Sequence, residues 1–348
     1  MLNIASIKPH LKTLAASGAP LYVLGDGKLI GHTPNFTVCV EDDSLQISVA
    51  DPSATCVLSA VKFNAFVSKA KTGFSVHFLD SGVRLLSGSL SVDFPLLNTQ
   101  VNLVQPDYKM SIPTTTLKEL LLYATAVTDA KATMTYAGVV HIHADPDIFD
   151  EEQSSSVKVQ ATDGYRALRM SLGCNVTPFS LLVPATLVAA VVNFTGETTE
   201  IADTENYLAF RSGNVEAVAT KFAVKLPDIG GAFPARSKVR MSFAAGDIKE
   251  ILGNLSPFLD TKDPDVVCSF EQKLVITTGT ARDELKYDIQ PTVQNPASET
   301  PNKKFKTPAK FLTDFISKAS GTVQVETDNF DRILLTNGNK KYILAAKN

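Results

Sequence analysis

The sequence predicts an α+β protein made of three tandem copies of one unit, each with two helices packed on antiparallel sheet. Three observations carry this. Two kinds of helical segment recur, period-two segments fill the intervals between them, and Pro-containing stretches close the first two copies at comparable places.

The first copy, residues 1–108, opens on "NIASIKPHLKTL", whose apolar residues fall at helical spacing. The hairpin signal "GDGKLIGHTP" and the alternating "FTVCVEDDSLQISVAD" follow. A second helix, "SAVKFNAFVSKA" (Ser59 to Ala70), then leads into the strands of "GFSVHFLDSGVRLLSGSLSV". The second copy, residues 109–236, restarts with "MSIPTTTLKELL" (Met110 to Leu121). It reaches its other helix at "PATLVAAVVNFT" (Pro184 to Thr195) and its strands at "TTEIADTENYLAFRSGNVEAVATKF". The third, residues 237–348, repeats the order with "MSFAAGDIKEIL" (Met241 to Leu252), "DVVCSFEQKLVITTGTARDELKYDI", "PAKFLTDFISKA" (Pro308 to Ala319) and "GTVQVETDNFDRILLTNGNKKYILAA". Each helical segment begins near a Pro, Ser, Thr or Asp suited to a first turn. Phe94-Pro95 and Leu226-Pro227 mark the two joints, and "QPTVQNPASETPNKK" (Gln290 to Lys304) reads as a loop.

Composition narrows the function. The 348 residues are 44% hydrophobic and 20% charged with no Trp, a globular profile. The longest apolar run, "LLVPATLVAAVVNF", is broken by Pro184 and too short to span a bilayer, and the N-terminus lacks the apolar core of a signal peptide. Cys39, Cys56, Cys174 and Cys268 lie far apart without CxxC spacing, which predicts reduced, mostly buried thiols in a cytoplasmic protein and no zinc site. No Walker-type loop, GxSxG or dinucleotide fingerprint is present, so neither an enzyme nor a cofactor is expected. In "HIHADPD", His141 and His143 share a strand face and could hold a metal. His10, His32 and His77 offer no companion motif, so this stretch reads as the edge of a strand entering a polar loop.

The stretch "KVQATDGYRAL" (158–168) reads first as a β-hairpin turning on Asp163-Gly164. Placed in a threefold repeat, "VQATDGYRALRM" resembles the Ala-Thr-Asp-Gly-His-Arg-Leu hairpin in the middle domain of the bacterial β-type DNA sliding clamps. "KLPDIGGAFP" resembles that family's Phe-Pro-Asp segment leading to the last domain, and "KKYILAAKN" ends the chain on a strand as the family does. The resemblance covers essentially the whole chain. It implies three DNA-clamp domains per subunit and a head-to-tail homodimer. The ring would have helices lining its hole and sheets outside, and it would encircle double-stranded DNA without reading sequence.

Charge fits that implication. The helical segments, taken to Lys71, hold nine lysines (Lys8, Lys12, Lys62, Lys69, Lys71, Lys118, Lys249, Lys310 and Lys318) against Glu119, Asp247, Glu250 and Asp314. That surplus of +5 leaves −8 on the remainder of a chain whose total is −3. These lysines, with Lys28 of the Gly-rich hairpin, are the expected DNA contacts. The middle copy departs from the pattern, because "PATLVAAVVNFT" carries no charge and Lys118 adjoins Glu119.

The family also binds short peptides of a replicative polymerase and a clamp loader in a groove between its middle and last domains. By position, that groove would use Thr162, Gly164, Tyr165, Arg166 and Leu168 of the hairpin, Pro227 and Ala232 of the connecting segment, and Tyr342, Leu344 and Ala346 of the last strand. Three departures make it shallower and less basic. Ala167 stands where the family has Leu, with Leu168 one place late. Gly230-Gly231 replaces a basic pair, and Leu344-Ala345-Ala346-Lys347 replaces Met-Pro-Met-Arg. Such drift suits a divergent clamp, as a bacteriophage with its own replisome would encode. The alternative class is a β-rich structural or adhesive protein, which has no reason to gather lysines on its helices.

Overall fold

The computed structural model describes residues 7–25, 27–42, 55–70, 73–79, 82–95, 101, 103–129, 135–147, 154–233, 239–259, 264–270, 273–278, 285–291, 293–294, 303–327 and 332–345. Within them the expected helices form: α1 (Leu11–Ala16, after a 3-10 turn Lys8–His10), α2 (Ala60–Lys69), α3 (Thr114–Ala124), α4 (Ala185–Val191), α5 (Ala245–Leu255) and α6 (Ala309–Ile316). Three times the order reads helix, three-stranded meander, single strand, helix, three-stranded meander, with a strand added before the first helix of the second and third copies (Met110–Pro113, Val239–Ala244) and a short one, Val293–Gln294, within the third.

Each helix is held by its apolar face. Phe63, Phe66 and Val67 of α2, Ile248, Leu252 and Leu255 of α5, and Leu312, Phe315 and Ile316 of α6 are buried at three- and four-residue spacing. Each such side chain contributes about 2 kcal/mol by leaving water. The caps differ from expectation, since neither Ser59 nor Pro308 makes a side-chain cap. Carbonyls from elsewhere in the chain take the orphan amides instead. The N–H of Ala60 donates to the Pro20 carbonyl (3.0 Å), Thr114 to Glu197 (2.9 Å), Ala245 to Gly321 (2.8 Å) and Ala309 to Pro264 (2.9 Å). These helix starts are therefore set by tertiary structure, which a local capping signal does not report.

The chain divides into two compact units, residues 1–121 with 181–223 and residues 122–180 with 224–348. In the first, an eight-stranded sheet runs Cys56–Ser59, Leu21–Gly25, Lys28–Thr33, Phe36–Glu41, Val215–Thr220, Tyr207–Ser212, Thr198–Asp203 and Met110–Pro113. A separate meander holds Ser75–Leu79, Gly82–Ser87 and Leu90–Pro95. The nine-stranded sheet of the second runs Phe179–Pro184, Val139–Ala144, Ser154–Thr162, Arg166–Val176, Lys340–Ala345, Arg332–Asn337, Thr322–Thr327, Val239–Ala244 and Val293–Gln294. Its four-stranded companion is Leu285–Ile289, Leu274–Thr278, Asp265–Phe270 and Lys303–Pro308.

The same joint occurs twice in these sheets. Phe36–Glu41, which ends a first meander, pairs antiparallel with Val215–Thr220, which ends the second meander of the following copy. Arg166–Val176 and Lys340–Ala345 repeat that pairing.

Several expectations change. The stretch 290–304 is not loop throughout, because Val293–Gln294 pairs with Val239–Ala244 and Lys303 starts a strand; its middle lies outside the described residues. Residues 43–51 of the expected strands also lie outside them. "HIHADPD" does run from a strand into a polar stretch, since Val139–Ala144 ends before Asp145, but that strand lies between two others and not at the sheet's margin. There His141 and His143 stack with ring centroids 4.5 Å apart, His141 meets Ser180 Oγ at 2.9 Å, and Lys158 takes Asp145 at 2.5 Å. Among the described residues no group of three or more His, Cys, Asp or Glu could hold a metal, and no helix is long and apolar enough to cross a membrane. Cys39, Cys56 and Cys268 are buried, which pushes each thiol up to about 12.

Candidate functional site

The hairpin that opens the site is a three-residue connection, Asp163-Gly164-Tyr165, between Ser154–Thr162 and Arg166–Val176. Gly164 takes the left-handed backbone, with φ of 92°. One carboxylate oxygen of Asp163 accepts the N–H of both Tyr165 and Arg166 at 3.0 Å, and Thr162 Oγ1 donates to the Arg166 carbonyl at 2.7 Å. The turn is thus rigid, and it presents Tyr165, 70% exposed, at the rim of a trough.

That trough, about 400 Å³, has three walls. The hairpin supplies Thr162, Gly164, Tyr165, Arg166 and Ala167, the connecting segment supplies Pro227, Asp228, Ile229 and Ala232, and the last meander supplies Arg332, Ile343 and Ala345, with Tyr136 beside them. The connecting segment is held onto the sheet by an apolar cluster of Ala167, Ile229, Leu334 and Ile343, against which Ala232 and Phe233 pack. A 3-10 turn at Gly230–Ala232 and the Asp228 carboxylate accepting the Gly230 N–H (2.8 Å) fix its path.

Six expected groove residues meet here: Thr162, Gly164, Tyr165, Arg166, Pro227 and Ala232. Three do not. Leu168, Tyr342 and Leu344 are fully buried and absent from the trough lining. Strand side chains alternate, so the lining falls one residue away, on Ala167, Ile343 and Ala345. Ala346 lies outside the described residues. The ladder pairing Ala167 with Ile343 would have given the right parity, but which face is covered is not written in either strand alone. Tyr136, Ile229 and Arg332 carried no sequence signal.

Arg166 holds the site together more than it faces outward. Its side chain is 10% exposed, with Nε to Asp163 and Nη1 to Asp314 of α6, both at 2.7 Å, and its guanidinium lies 4.1 Å from the Phe311 ring centre. Burial opposes its charge, but Tyr342, Asp163 and Asp314 outweigh that and hold it charged above its ordinary range. Tyr342, pushed up by burial, donates to the Phe311 carbonyl at 2.9 Å and stacks on Phe315, centroids 5.0 Å apart. Tyr342 is thus part of the support beneath the trough.

The helix lysines separate into classes. Lys8, Lys118 and Lys249 occupy equivalent places in the three copies, and each amine donates to the carbonyl just beyond its copy's second helix: Ala70 (3.1 Å), Phe194 (2.7 Å) and Ala319 (2.7 Å). In α6, Lys310 pairs with the Asp314 carboxylate (2.5 Å), and just beyond its end Lys318 donates to the Asp314 carbonyl (2.7 Å), with burial lowering its pKa. Lys28 pairs with Glu41 at 3.0 Å. Lys12, Lys62 and Lys69 are exposed, and Lys71 lies outside the described residues.

No protein-family model matches the chain, and no curated protein matches it by sequence. Solved structures do match. The fold is similar to that of a Bacillus subtilis DNA polymerase sliding clamp, at TM-score 0.77 and 14% identity over 100% of this chain and 98% of that one. A putative DNA polymerase III beta subunit from Eubacterium rectale aligns at TM-score 0.75 and 10% identity with the same coverage. A Pseudomonas aeruginosa sliding clamp bound to griselimycin aligns at TM-score 0.74 and 14% identity, again over 100% and 98%. The chain therefore carries the β-type sliding-clamp fold from end to end, in a divergent sequence.

Proposed function

We propose that the protein is a DNA polymerase processivity clamp of three domains, 1–108, 109–236 and 237–348, that closes as a head-to-tail dimer around duplex DNA. It tethers a replicative polymerase, and meets a clamp loader, through the trough at 162–167, 227–232 and 343–345. One observation carries the ring. The strand ending a first meander pairs with the strand ending the next copy's second meander, at 36–41 with 215–220 and at 166–176 with 340–345. Among the described residues, one strand of each kind has an open edge: Leu285–Ile289 from the third copy and Leu90–Pro95 from the first. A third joint of the same kind needs a second chain, and two chains supply two such joints. A closed ring stays on DNA by topology, so weak phosphate contacts suffice and sliding is not opposed.

Light scattering across a concentration series tests the ring: the mass should be twice the chain's 37.4 kDa. Proline at Ser91 or at Val92 removes an amide from the open strand, and the one whose N–H faces outward should shift the mass to monomer. Monomer at every concentration, with or without DNA, would contradict the reading.

A further inference from the structure

The joint between the first two copies repeats the one that builds the trough. In the ladders, Thr37 opposite Val218 corresponds to Ala167 opposite Ile343, and Tyr207 opposite Thr220 corresponds to Arg332 opposite Ala345. The connecting segment also repeats. Leu103 packs against a buried cluster of Val23, Ile30, Cys39 and Val57 on the first copy's own strands, whereas Ile229 packs on both sides of the later joint. These parts enclose a second trough of about 230 Å³ that includes Thr37, Leu103, Val104, Tyr207, Val218 and Glu216.

The two troughs differ in charge. Arg166, Arg332 and Asp228 line the later one. Among the described residues, Glu216 is the one Asp, Glu, Lys or Arg lining the earlier, where His32 is tied to Thr37 Oγ1 at 2.8 Å. One oxygen of Glu216 accepts the Tyr108 hydroxyl at 2.6 Å, and among the described residues the other accepts nothing. Val104, 42% exposed, gives the trough an apolar lip.

We infer that this first-joint trough is a second docking site, for an extended peptide segment that carries an apolar anchor beside a lysine or arginine. The anchor sits between Val104 and Val218, and the cation meets the free oxygen of Glu216. Backbone shape is shared with the later trough while the charged groups differ, a lone carboxylate here against Arg332 and Asp228 there, so the two sites select different segments. The inference rests on the repeat and on Glu216, not on ring closure or DNA, so its failure leaves the clamp reading standing.

The test uses the full chain with methyl-labelled Val, Leu and Ile, titrated with acetyl-Gly-Lys-Leu-Val-Phe-Gly-amide and with the counterpart carrying Glu in place of Lys. Saturable shifts of the Val104 and Val218 methyls are expected with the Lys peptide, and binding about fivefold weaker with the Glu peptide, as one partly exposed ion pair gives. Glu216→Gln should erase that preference. Equal binding of the two peptides, shifts confined to Ile343, or no saturable shift at millimolar peptide would each overturn the proposal.

Discussion

The helical segments of the first copy carry five lysines and those of the last carry three, and the two copies place them differently. In the last copy, Lys249, Lys310 and Lys318 each donate to the protein's own acceptors, the Ala319 carbonyl and the two kinds of oxygen on Asp314, with Lys310 still 70% exposed. In the first, one lysine, Lys8, makes the equivalent clasp to Ala70, while Lys12, Lys62 and Lys69 remain exposed. A surplus of helix charge is therefore not the same as cations available to phosphate. The repeat reserves one lysine per copy for joining the two helices, and what is left over concentrates in the first copy. The uncharged helix α4 of the middle copy fits that asymmetry, because Lys118 is already engaged at Phe194.

The sharpest way to break this comparison is to remove each set and read DNA binding against salt. Replacing Lys12, Lys62 and Lys69 together by Ala should flatten the slope of log affinity against log salt by about 0.9 for each phosphate that is no longer neutralised. Replacing Lys310 and Lys318 should change it little. Equal slopes for the two variants would show that the exposed lysines do not meet the phosphates.

Next in size is Arg166→Ala, which leaves Asp163 and Asp314 without their shared cation and uncovers the Phe311 face. A loss of about 3 kcal/mol is expected in denaturant unfolding, because one partner of a largely buried pair is removed. Tyr165→Ala, at a 70% exposed side chain, should leave stability nearly unchanged while weakening polymerase-peptide binding. A smaller effect belongs to the clasps. Lys118→Met and Lys249→Met should each cost about 1 kcal/mol, the net worth of a hydrogen bond, whereas Lys62→Met should cost nearly nothing.

The smallest expected effect is acid sensitivity near the stacked histidines. Burial is the largest cause lowering the pKa of both His141 and His143 below 6.5. The unfolded chain then binds more protons than the folded one below that value, so stability is full above pH 6.5 and falls as pH drops through the window beneath it. The melting temperature should fall from pH 7.5 to 5.5, and the double variant His141→Gln, His143→Gln should fall less.

Much of the architecture was legible in sequence, because the helical segments at 110–121, 184–195, 241–252 and 308–319 and the turn-punctuated strands are local patterns. What was missed is non-local. The helix caps come from carbonyls such as Pro20 and Pro264, far away in sequence. The trough lining depends on which face of Lys340–Ala345 is covered, and that put Ile343 and Ala345 in place of Tyr342 and Leu344. Arg166 reads as a surface charge until Asp314, 148 residues away, is brought against it.

The central claim is topological, and retention on circular duplex tests it most directly. The protein is placed on a nicked plasmid, with the proposed loader added in a parallel sample, the complex is isolated by gel filtration at high salt, and the plasmid is then cut once. The account predicts that protein stays with the circle and runs off the linear form. Equal retention on both, or equal loss from both, would contradict a closed ring.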